Sequence, residues 1–290
     1  EYFIQFHNPW HFFDYNTYYN PDYKFSKEET ALITRRVEEE ITLRGLSYHK
    51  VGHGWTYPLV GEEGHGWCNY DKEIPDDVKN LFAEIDGKRD LWKGNLFNTN
   101  LCYSNPEARD RMTDGIVNYC KKNPQVKYLH FWLADAINNH CECDECRKMR
   151  PSDYYVLMLN ELDEKLTKEG IDTKVVFLLY LDLMFPPEHY TFKNPDRFTL
   201  MFAPISRKYN KTMKEIHKDE NPDPIEYERN KVSFKAAPTG YLVNFLSDWQ
   251  KIFTGDSFIF DYHLMWNYQT EAGSYRNANV IHDDMKNLKD

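Results

Sequence analysis

The sequence predicts a single α/β domain with the architecture of a (β/α)8 TIM barrel, and three observations lead to that prediction. Short apolar segments alternate along the 290-residue chain with amphipathic helical segments. Several of the apolar segments carry almost no polar residue, which is typical of parallel strands that are covered on both faces. The chain has no glycine-rich dinucleotide-binding fingerprint, so a barrel is favoured over a doubly wound sheet.

Seven strands are predicted, each a short run rich in β-branched, aliphatic or aromatic residues. They are Tyr2–His7, Leu46–Val51, Leu96–Cys102, Val126–Ala134, Lys174–Leu181, Arg197–Pro204 and Ser257–His263. The chain ends on a helical stretch, Asn279–Lys289, so the barrel is predicted to lack its eighth strand within this chain. Residues 1–290 are accordingly expected to be one domain cut from a larger protein.

Five helices are predicted between these strands, because each candidate combines a start signal with an apolar stripe. They are Ser26–Gly45, Pro75–Gly87, a segment from Asn105 to Cys120, Ser152–Gly170 and Thr239–Gly255. In the first of them, Ser26 and Glu29 have the spacing of a capping box. The polar segment Arg207–Pro238 lacks clear periodicity and is expected to be a functional lid or a disordered insertion.

Charge and hydropathy exclude two kinds of partner. Lys and Arg number 36 against 46 Asp and Glu, which gives a net charge of −10, and no basic stripe offsets it. This balance would repel a phosphate backbone, so nucleic acid is not expected as a partner. No apolar run approaches the roughly 20 residues of a membrane-spanning helix.

Aromatic residues make up 16% of the chain, which suits stacking on the apolar faces of sugar rings as well as core packing.

Polar and aromatic residues follow the predicted strands, where the active sites of (β/α)8 barrels lie. Asp135 and Asp261 end the fourth and seventh strands and are the candidates for the general acid and for the nucleophile or base of glycosidic cleavage. The candidate substrate-binding residues are His53, Trp55, Tyr180, Asp182, Tyr262 and His263. In this interpretation the histidines bind hydroxyls, Trp55 and Tyr262 offer ring faces for stacking, and Asp182 is a reserve carboxylate. The alternative is that these residues only cap the barrel.

Three of the six cysteines lie close together, in the segment Cys141-Glu142-Cys143-Asp144-Glu145-Cys146. Thiolates at this spacing can close on one tetrahedral cation, which then needs a single further ligand. Cys102 ends the third predicted strand and Cys141 follows the fourth, so a parallel barrel would bring both to the same rim. The sequence therefore predicts a structural zinc site formed by Cys102, Cys141, Cys143 and Cys146, with His140 and Cys68 as other candidates for the fourth ligand. A disulfide within the cluster and free thiols are the alternatives.

Further motifs accompany the cysteine segment. They are Gly52-His53-Gly54-Trp55, Leu101-Cys102-Tyr103-Ser104-Asn105-Pro106-Glu107, Ser152-Asp153 followed by Asn160, and Tyr180 with Pro186-Pro187. Together with the strand that ends at Asp135 and the cysteine segment, these motifs resemble the family described as domain of unknown function 4838, over roughly residues 40–270. The cysteine segment is the fairly specific part of this resemblance, whereas the other motifs are weak taken singly.

This resemblance implies a TIM barrel related in appearance to α-glucuronidases and family 20 hexosaminidases, with a carbohydrate partner and a secreted, periplasmic or cell-surface location in bacteria. In hexosaminidase-like barrels the fourth strand often ends in an Asp-Glu pair, whereas here Asp135 precedes Ala136. Two functions therefore stay open: a glycoside hydrolase acting on a polysaccharide or glycan, and a non-catalytic carbohydrate-binding barrel. A zinc-stabilised scaffold without a ligand is a third. No organic cofactor is expected, because neither a phosphate-binding loop nor a nucleophile elbow is present.

Overall fold

The computed structural model describes residues 2–5, 26–62, 69–219, 222–234, 239–263 and 275–287. These residues form eight strands: β1 (Tyr2–Gln5), β2 (Tyr48–Val51), β3 (Glu84–Ile85), β4 (Lys88–Arg89), β5 (Tyr128–Phe131), β6 (Lys174–Leu179), β7 (Phe198–Phe202) and β8 (Asp256–Ile259). They also form seven α-helices: α1 (Lys27–Leu43), α2 (Asp76–Lys79), α3 (Pro106–Lys122), α4 (Pro151–Lys168), α5 (Met213–Asp219), α6 (Gly240–Gln250) and α7 (Tyr275–Asn287). Within these ranges, none of the helices combines the length and the hydropathy that crossing a bilayer requires.

Six strands form one sheet in the order β1-β2-β5-β6-β7-β8, which follows the chain. Every pairing in it is parallel, as the sequence predicts. Successive side chains point to opposite faces of the sheet. Phe177 and Leu179 of β6 belong to the large core shared with the helices, whereas Val176 and Leu178 belong to a smaller apolar cluster on the other face. The sheet thus has a helix-covered face and a second, separate apolar face.

The sheet is curled, so that its two edge strands approach each other across the second face. The rings of Phe3 on β1 and Phe258 on β8 have centroids 6.4 Å apart. In a flat sheet, edge strands separated by five strand spacings would lie about 24 Å apart. The ring of Phe3 also lies 5.6 Å from that of His130 on β5, edge-on. The second face is therefore concave, and the sheet has the form of a half-barrel.

The predicted strand Leu96–Cys102 is wrong. Residues Leu96–Asn98 form a 3₁₀ turn, in which the side chain of Asn95 accepts a hydrogen bond from the backbone N–H of Phe97. Leu101 makes only an isolated antiparallel bridge to Phe82, and β2 pairs directly with β5. Its apolar residues Leu96, Phe97 and Leu101 are buried in the core without strand pairing, which explains why they resemble the residues of a strand in the sequence. An eighth parallel strand is not found among the residues that the structure describes.

The predicted helix Pro75–Gly87 is correct only in its first turn. Helix α2 ends at Lys79, and the chain then forms the antiparallel hairpin of β3 and β4. Asp86 and Gly87 connect the two strands with φ values of 50° and 72°. Positive φ at both central residues is the mark of a type I′ turn, which an Asp-Gly pair favours. The turn chemistry therefore overrides the helical spacing of the apolar residues.

The other predicted helices are confirmed, with ends that shift by one or two residues, except that α6 ends at Gln250, five residues before the predicted Gly255. Helix α1 starts with the predicted capping box, in which the Ser26 hydroxyl accepts from the Glu29 N–H and the Glu29 carboxylate accepts from the Ser26 N–H. Asn105 caps α3, and Pro106 occupies its first position. The segment Arg207–Pro238 contains α5 and irregular stretches, and its residues 220–221 and 235–238 lie outside the described residues.

Candidate functional site

A cavity of about 720 Å³ opens on the concave face of the sheet, at the carboxyl ends of its strands. Its walls combine many apolar side chains with a few polar ones, as is usual for a small-molecule site. Six of the residues predicted from the sequence line this cavity: His53, Asp135, Tyr180, Asp261, Tyr262 and His263. The structure thus brings together residues that follow four different strands, namely β2, β5, β6 and β8.

Asp135 follows β5 and faces an imidazole and a phenol. His53 Nε2 lies 3.7 Å from Asp135 Oδ1. The other ring nitrogen of His53, Nδ1, lies 2.5 Å from the carbonyl oxygen of Leu133 and donates to it, so Nε2 is the nitrogen that faces the carboxylate. Burial lowers the pKa of His53 against the opposing influence of Asp135, so the ring is neutral at neutral pH. Burial and the charge of Asp135 raise the pKa of Tyr180, whose hydroxyl therefore stays protonated and interacts with Asp135.

Asp261 follows β8 and is held by several donors. Its Oδ2 forms an ion pair with Arg207, and its Oδ1 accepts a hydrogen bond from the hydroxyl of Tyr209. The backbone N–H of Tyr262 donates to the same Oδ1 at 3.0 Å. His263 Nε2 lies 3.3 Å from Oδ2. The Arg207 guanidinium, the Tyr209 hydroxyl and the Tyr262 N–H fix the position of this carboxylate, whereas His263 Nε2 has no hydrogen-bond partner among the described residues.

The fully buried guanidinium of Arg207 links the cavity to helix α7. It pairs with Asp261 and also with Asp284 of that helix, whose Oδ1 accepts from the Met213 N–H at 2.7 Å. Asp261, His263 and Asp284 offer ligand atoms that all lie within 4.8 Å of one another. Because the Arg207 guanidinium lies between the two carboxylates, this group is a buried ion-pair network.

Trp55 lies outside the cavity, which corrects the prediction that it offers a ring face to a substrate. Its side chain is 7% exposed, and its Nε1 donates to the carbonyl oxygen of His130 at 3.3 Å. Its ring packs edge-on against Tyr119 of α3, with the centroids 5.9 Å apart. The glycines on either side of His53 both have positive φ values, and the chain turns so that His53 faces the cavity while Trp55 enters the core. Trp55 is therefore a packing residue.

Asp182 is also outside the large cavity, which corrects its assignment as a substrate-binding residue. The side chain is 2% exposed, and its Oδ2 accepts a hydrogen bond from the backbone N–H of Asn138 at 2.8 Å. His140 Nε2 lies 3.8 Å from the same oxygen. Burial raises the pKa of Asp182 to about 6, although the hydrogen bond from Asn138 opposes the shift. Asp182 therefore anchors the loop that follows Asp135.

Trp132 and His130 line the cavity, and the sequence analysis identified neither. Both follow from the period of two along β5, because Tyr128, His130 and Trp132 alternate with the core residues Leu129 and Phe131. The indole N–H of Trp132 is buried and has no hydrogen-bond partner among the described residues. A strand assigned by apolarity alone does not show which of its faces is concave.

A second cluster lies in the loops that lead into α3 and α4. The Sγ atoms of Cys102, Cys141, Cys143 and Cys146 all lie within 4.8 Å of one another. Cys102 Sγ is 3.7 Å from Cys143 Sγ and 3.8 Å from Cys146 Sγ, whereas a disulfide needs about 2.05 Å. Such a group of thiol side chains can hold a thiophilic metal ion.

The other two residues considered for the cysteine site have different positions. The imidazole of His140 is buried beside Asp182 and does not belong to the group of four sulfur atoms. Cys68 lies outside the described residues. The fifth free cysteine of the described ranges, Cys120, is buried in α3 and is likewise not part of the cluster. The four cysteines named by the sequence analysis are therefore the ones that the structure brings together.

A family model with the description "Domain of unknown function (DUF4838)" matches residues 2–289. The match covers nearly the whole chain, including the cavity and the cysteine cluster. No curated protein matches the chain.

Proposed function

We propose that this chain, which belongs to the DUF4838 family of domains of unknown function, is a glycoside hydrolase that acts on a polysaccharide or glycan through Asp135 and Asp261. One observation carries the proposal: two carboxylates with different surroundings line one cavity together with several aromatic rings. Glycosidic cleavage uses such a pair, one carboxyl group as the proton donor and the other as nucleophile or base.

The contacts of the two carboxylates suggest which of them is the proton donor and which is the nucleophile or base. Asp261 is held by Arg207 and Tyr209, which suits a carboxylate that must stay ionised to act as nucleophile or base. Asp135 faces the neutral imidazole of His53 and the hydroxyl of Tyr180. A proton can be kept on this group of residues and passed to the leaving oxygen of a bound glycoside. Asp135 is therefore the proton donor in the proposal.

Tyr262 lines the same cavity as Asp135 and Asp261, and the charges of both aspartates act on its hydroxyl group. After burial, Asp135 and then Asp261 are the causes that raise the pKa of Tyr262. The phenol accordingly keeps its proton and can donate to a sugar hydroxyl or to a carboxylate. His53 and His263 supply further polar atoms at the cavity wall.

Aromatic rings line the remaining wall of the cavity. Phe3, Trp132, Phe260 and Tyr262 come from β1 and from the segments that follow β5 and β8. The side chain of Phe3 is 40% exposed and that of Phe260 is 41% exposed, so both rings reach solvent beside the cavity. Flat apolar rings next to hydroxyl and indole donors are suited to stacking on sugar rings.

Backbone conformation also supports a functional site here. Ala136, directly after Asp135, has a φ of 145°, and Leu181, directly after Tyr180, has a φ of 49°. Positive φ in residues with a Cβ costs about 1–3 kcal/mol and persists where the surrounding structure imposes it, often at functional sites. Both turns begin immediately after a residue that faces the cavity, so the strain supports the positions of these side chains.

We propose that the curled six-stranded sheet is the greater part of a (β/α)8 barrel, and that the location is secreted, periplasmic or cell-surface. The net charge of −10 supports a carbohydrate over nucleic acid as the partner.

The test is a screen of the wild type against aryl glycosides and oligosaccharides, followed by Asp135→Asn and Asp261→Asn. Each variant should lower turnover of the best substrate by at least about 100-fold, because each removes a proton-transfer or nucleophilic group. Asp256→Asn is the matched control, since Asp256 begins β8 at the opposite end of the sheet and its side chain accepts from the neighbouring Ser257 N–H. If wild-type activity persists in both cavity variants, the assignment is wrong.

A non-catalytic carbohydrate-binding barrel is the second candidate, and the contacts of Asp261 favour it. A carboxylate already paired with Arg207, Tyr209 and the Tyr262 N–H has most of its acceptor sites occupied. Binding on a glycan array without turnover of any substrate would support this candidate. In that case Trp132→Ala should lower the affinity more than Asp135→Asn does, because ring stacking supplies the binding energy. If no substrate is turned over and no glycan is bound, both candidate functions are contradicted.

A further inference from the structure

We propose that Cys102, Cys141, Cys143 and Cys146 bind one zinc ion through four thiolates, and that this ion fastens the segment before α3 to the loop between Asp135 and α4, on which the β3–β4 hairpin packs. The inference is independent of the proposed carbohydrate chemistry, because the cluster lies outside the residues that line the cavity. Its basis is the arrangement of the four sulfur atoms together with the donors placed around them.

The distances between sulfur atoms fit a tetrahedral zinc site. A Zn–S bond of about 2.3 Å places the corners of a tetrahedron about 3.8 Å apart. The separations of Cys102 Sγ from Cys143 Sγ and from Cys146 Sγ are 3.7 and 3.8 Å. Three of the four side chains are buried, so the sulfur atoms converge in a place that is largely closed to solvent. A pair of cysteines prepared for a disulfide would not explain why four converge.

Hydrogen-bond donors surround the sulfur atoms, as they do around metal-bound thiolates. The backbone N–H of Glu84 points to Cys141 Sγ at 3.3 Å, and Arg89 Nη1 lies 3.9 Å from the same sulfur. The Ser104 hydroxyl oxygen accepts from the Cys146 thiol at 3.1 Å and lies 3.4 Å from Cys102 Sγ, so once the thiols lose their protons its O–H can donate to one of the two sulfur atoms. Four thiolates and Zn²⁺ carry a net charge of −2, which these donors and the Arg89 cation stabilise.

The loop that carries Cys141, Cys143 and Cys146 also forms hydrogen bonds with other segments that have little regular secondary structure. Glu142 N–H donates to Glu84 O at 2.7 Å, and Asp86 N–H donates to the Glu142 carboxylate at 3.1 Å, so the hairpin rests on the cysteine loop. Arg229 donates to the carbonyl oxygens of Cys141 and Cys146 from a third segment. With four protein ligands the ion has no open position for a substrate, so its role is structural.

Binding requires no redox partner. Each thiol loses its proton to solvent as its Zn–S bond forms, and up to four protons are released without any transfer of electrons. Four sulfur ligands in a tetrahedron also suit iron, so the metal must be identified as well as counted.

The first experiment measures the metal in wild-type protein purified under reducing conditions without added metal. Elemental analysis should give close to one zinc per chain and little iron. Titration with a mercurial reagent should release this zinc as about four thiols react, which needs no variant protein. Less than about 0.2 zinc per chain, both as purified and after equilibration with Zn²⁺ and removal of free metal, would overturn the proposal, and so would iron at one per chain.

The second experiment compares two serine variants. Cys143→Ser replaces the most accessible ligand, and Cys120→Ser replaces a buried cysteine outside the cluster. We expect Cys143→Ser to lower zinc affinity by at least about 10-fold and Cys120→Ser to leave it unchanged. Competition with a chromophoric chelator measures both affinities, and circular dichroism verifies that each variant is folded. Equal zinc affinity of the two variants and the wild type would contradict the proposed ligand set. If Cys143→Ser does not fold, the mercurial titration of the wild type still shows whether zinc is bound by about four thiolates.

Discussion

At the scale of single residues, three aspartates at one end of the sheet show how surroundings determine what a carboxylate can do. Asp261 is paired with a buried guanidinium, whereas Asp135 faces a neutral imidazole at a cavity wall. Asp182 is the most buried of the three and accepts from the backbone N–H of Asn138. All three follow predicted strands, so sequence position alone does not distinguish them. Only the contacts assign one to a loop anchor and two to the cavity.

The buried carboxyl group of Asp182 should make the free energy of unfolding depend on pH. Burial raises its pKa in the folded protein from 3.8 to about 6. As the pH rises from about 4 to about 6, the unfolded chain has already released this proton and the folded chain still holds it, so wild-type stability falls. Asp182→Asn removes this titration and keeps an acceptor for the Asn138 N–H. The free energy of unfolding of the variant should therefore rise relative to wild type across this window, by at most about 3 kcal/mol.

Denaturant unfolding of both proteins at several pH values measures this effect. The difference between variant and wild type is the useful quantity, because buried histidines act in the opposite direction. Burial lowers the pKa of His49 to about 4, for example, so folding excludes its proton and becomes more favourable as the pH rises. A difference that does not change between pH 4 and 6 would show that Asp182 does not titrate as argued.

At the scale of elements, a helix or strand could be predicted from the sequence where a single local signal, such as a capping box or an apolar run, dominates. The capping box at Ser26 and the Asn105-Pro106 pair fix the starts of α1 and α3, and the apolar run of β6 fixes a buried strand. The sequence prediction failed where two signals compete. After Lys79 the apolar spacing favours a helix, but the Asp86-Gly87 turn imposes a hairpin. Leu96 and Leu101 were likewise assigned to a strand because they are apolar, but an apolar sequence indicates that side chains are buried and not that the backbone pairs with another strand.

A pair of glycine substitutions tests the hairpin. Gly87→Ala should lower the free energy of unfolding by about 1 kcal/mol, because residue 87 has a φ of 72° that a side chain with a Cβ disfavours. Gly115→Ala, in the middle of α3, should raise it by about 0.5–1 kcal/mol, because alanine is the better helix former there. A Cβ at either position meets nothing within 4 Å, so the backbone alone determines the sign. Urea unfolding that gives both substitutions the same sign would contradict the assigned conformations.

At the scale of the whole molecule, the curl of the sheet creates the cavity, and the sequence contains only part of that information. The parallel order of the strands follows from alternating strands and helices. The degree of closure depends on contacts between β1 and β8, which are the first and last strands of the described chain. The spacing of Cys141, Cys143 and Cys146 predicts that these three converge, and Cys102 joins them although the strand that was predicted to end at Cys102 is absent. The network of Arg207, Asp261 and Asp284 could not be predicted, because its three members lie on segments far apart in the sequence.

The last prediction tests the curl through the contact between the two edge strands. Phe3 and Phe258 have ring centroids 6.4 Å apart at an interplanar angle of 60°, which is an edge-to-face pair. Such pairs contribute about 0.5–1.5 kcal/mol beyond the apolar area that they bury. Phe3→Ala, Phe258→Ala and the double variant should therefore show a coupling energy of that size in a double-mutant cycle of urea unfolding. In a flat sheet the two positions would be too far apart to couple.

Tyr2 supplies the matched control for this cycle. It precedes Phe3 on β1, is similarly exposed, and its side chain lies on the opposite face, beside Ile33 and Val37 of α1. The effects of Tyr2→Ala and Phe258→Ala should add to within about 0.5 kcal/mol, because the sheet separates the two side chains. Coupling in the Phe3 cycle and additivity in the Tyr2 cycle would together locate the contact on the concave face. If the Phe3 cycle is additive as well, β1 and β8 do not approach each other in solution, and the cavity between them is not closed as the structure has it.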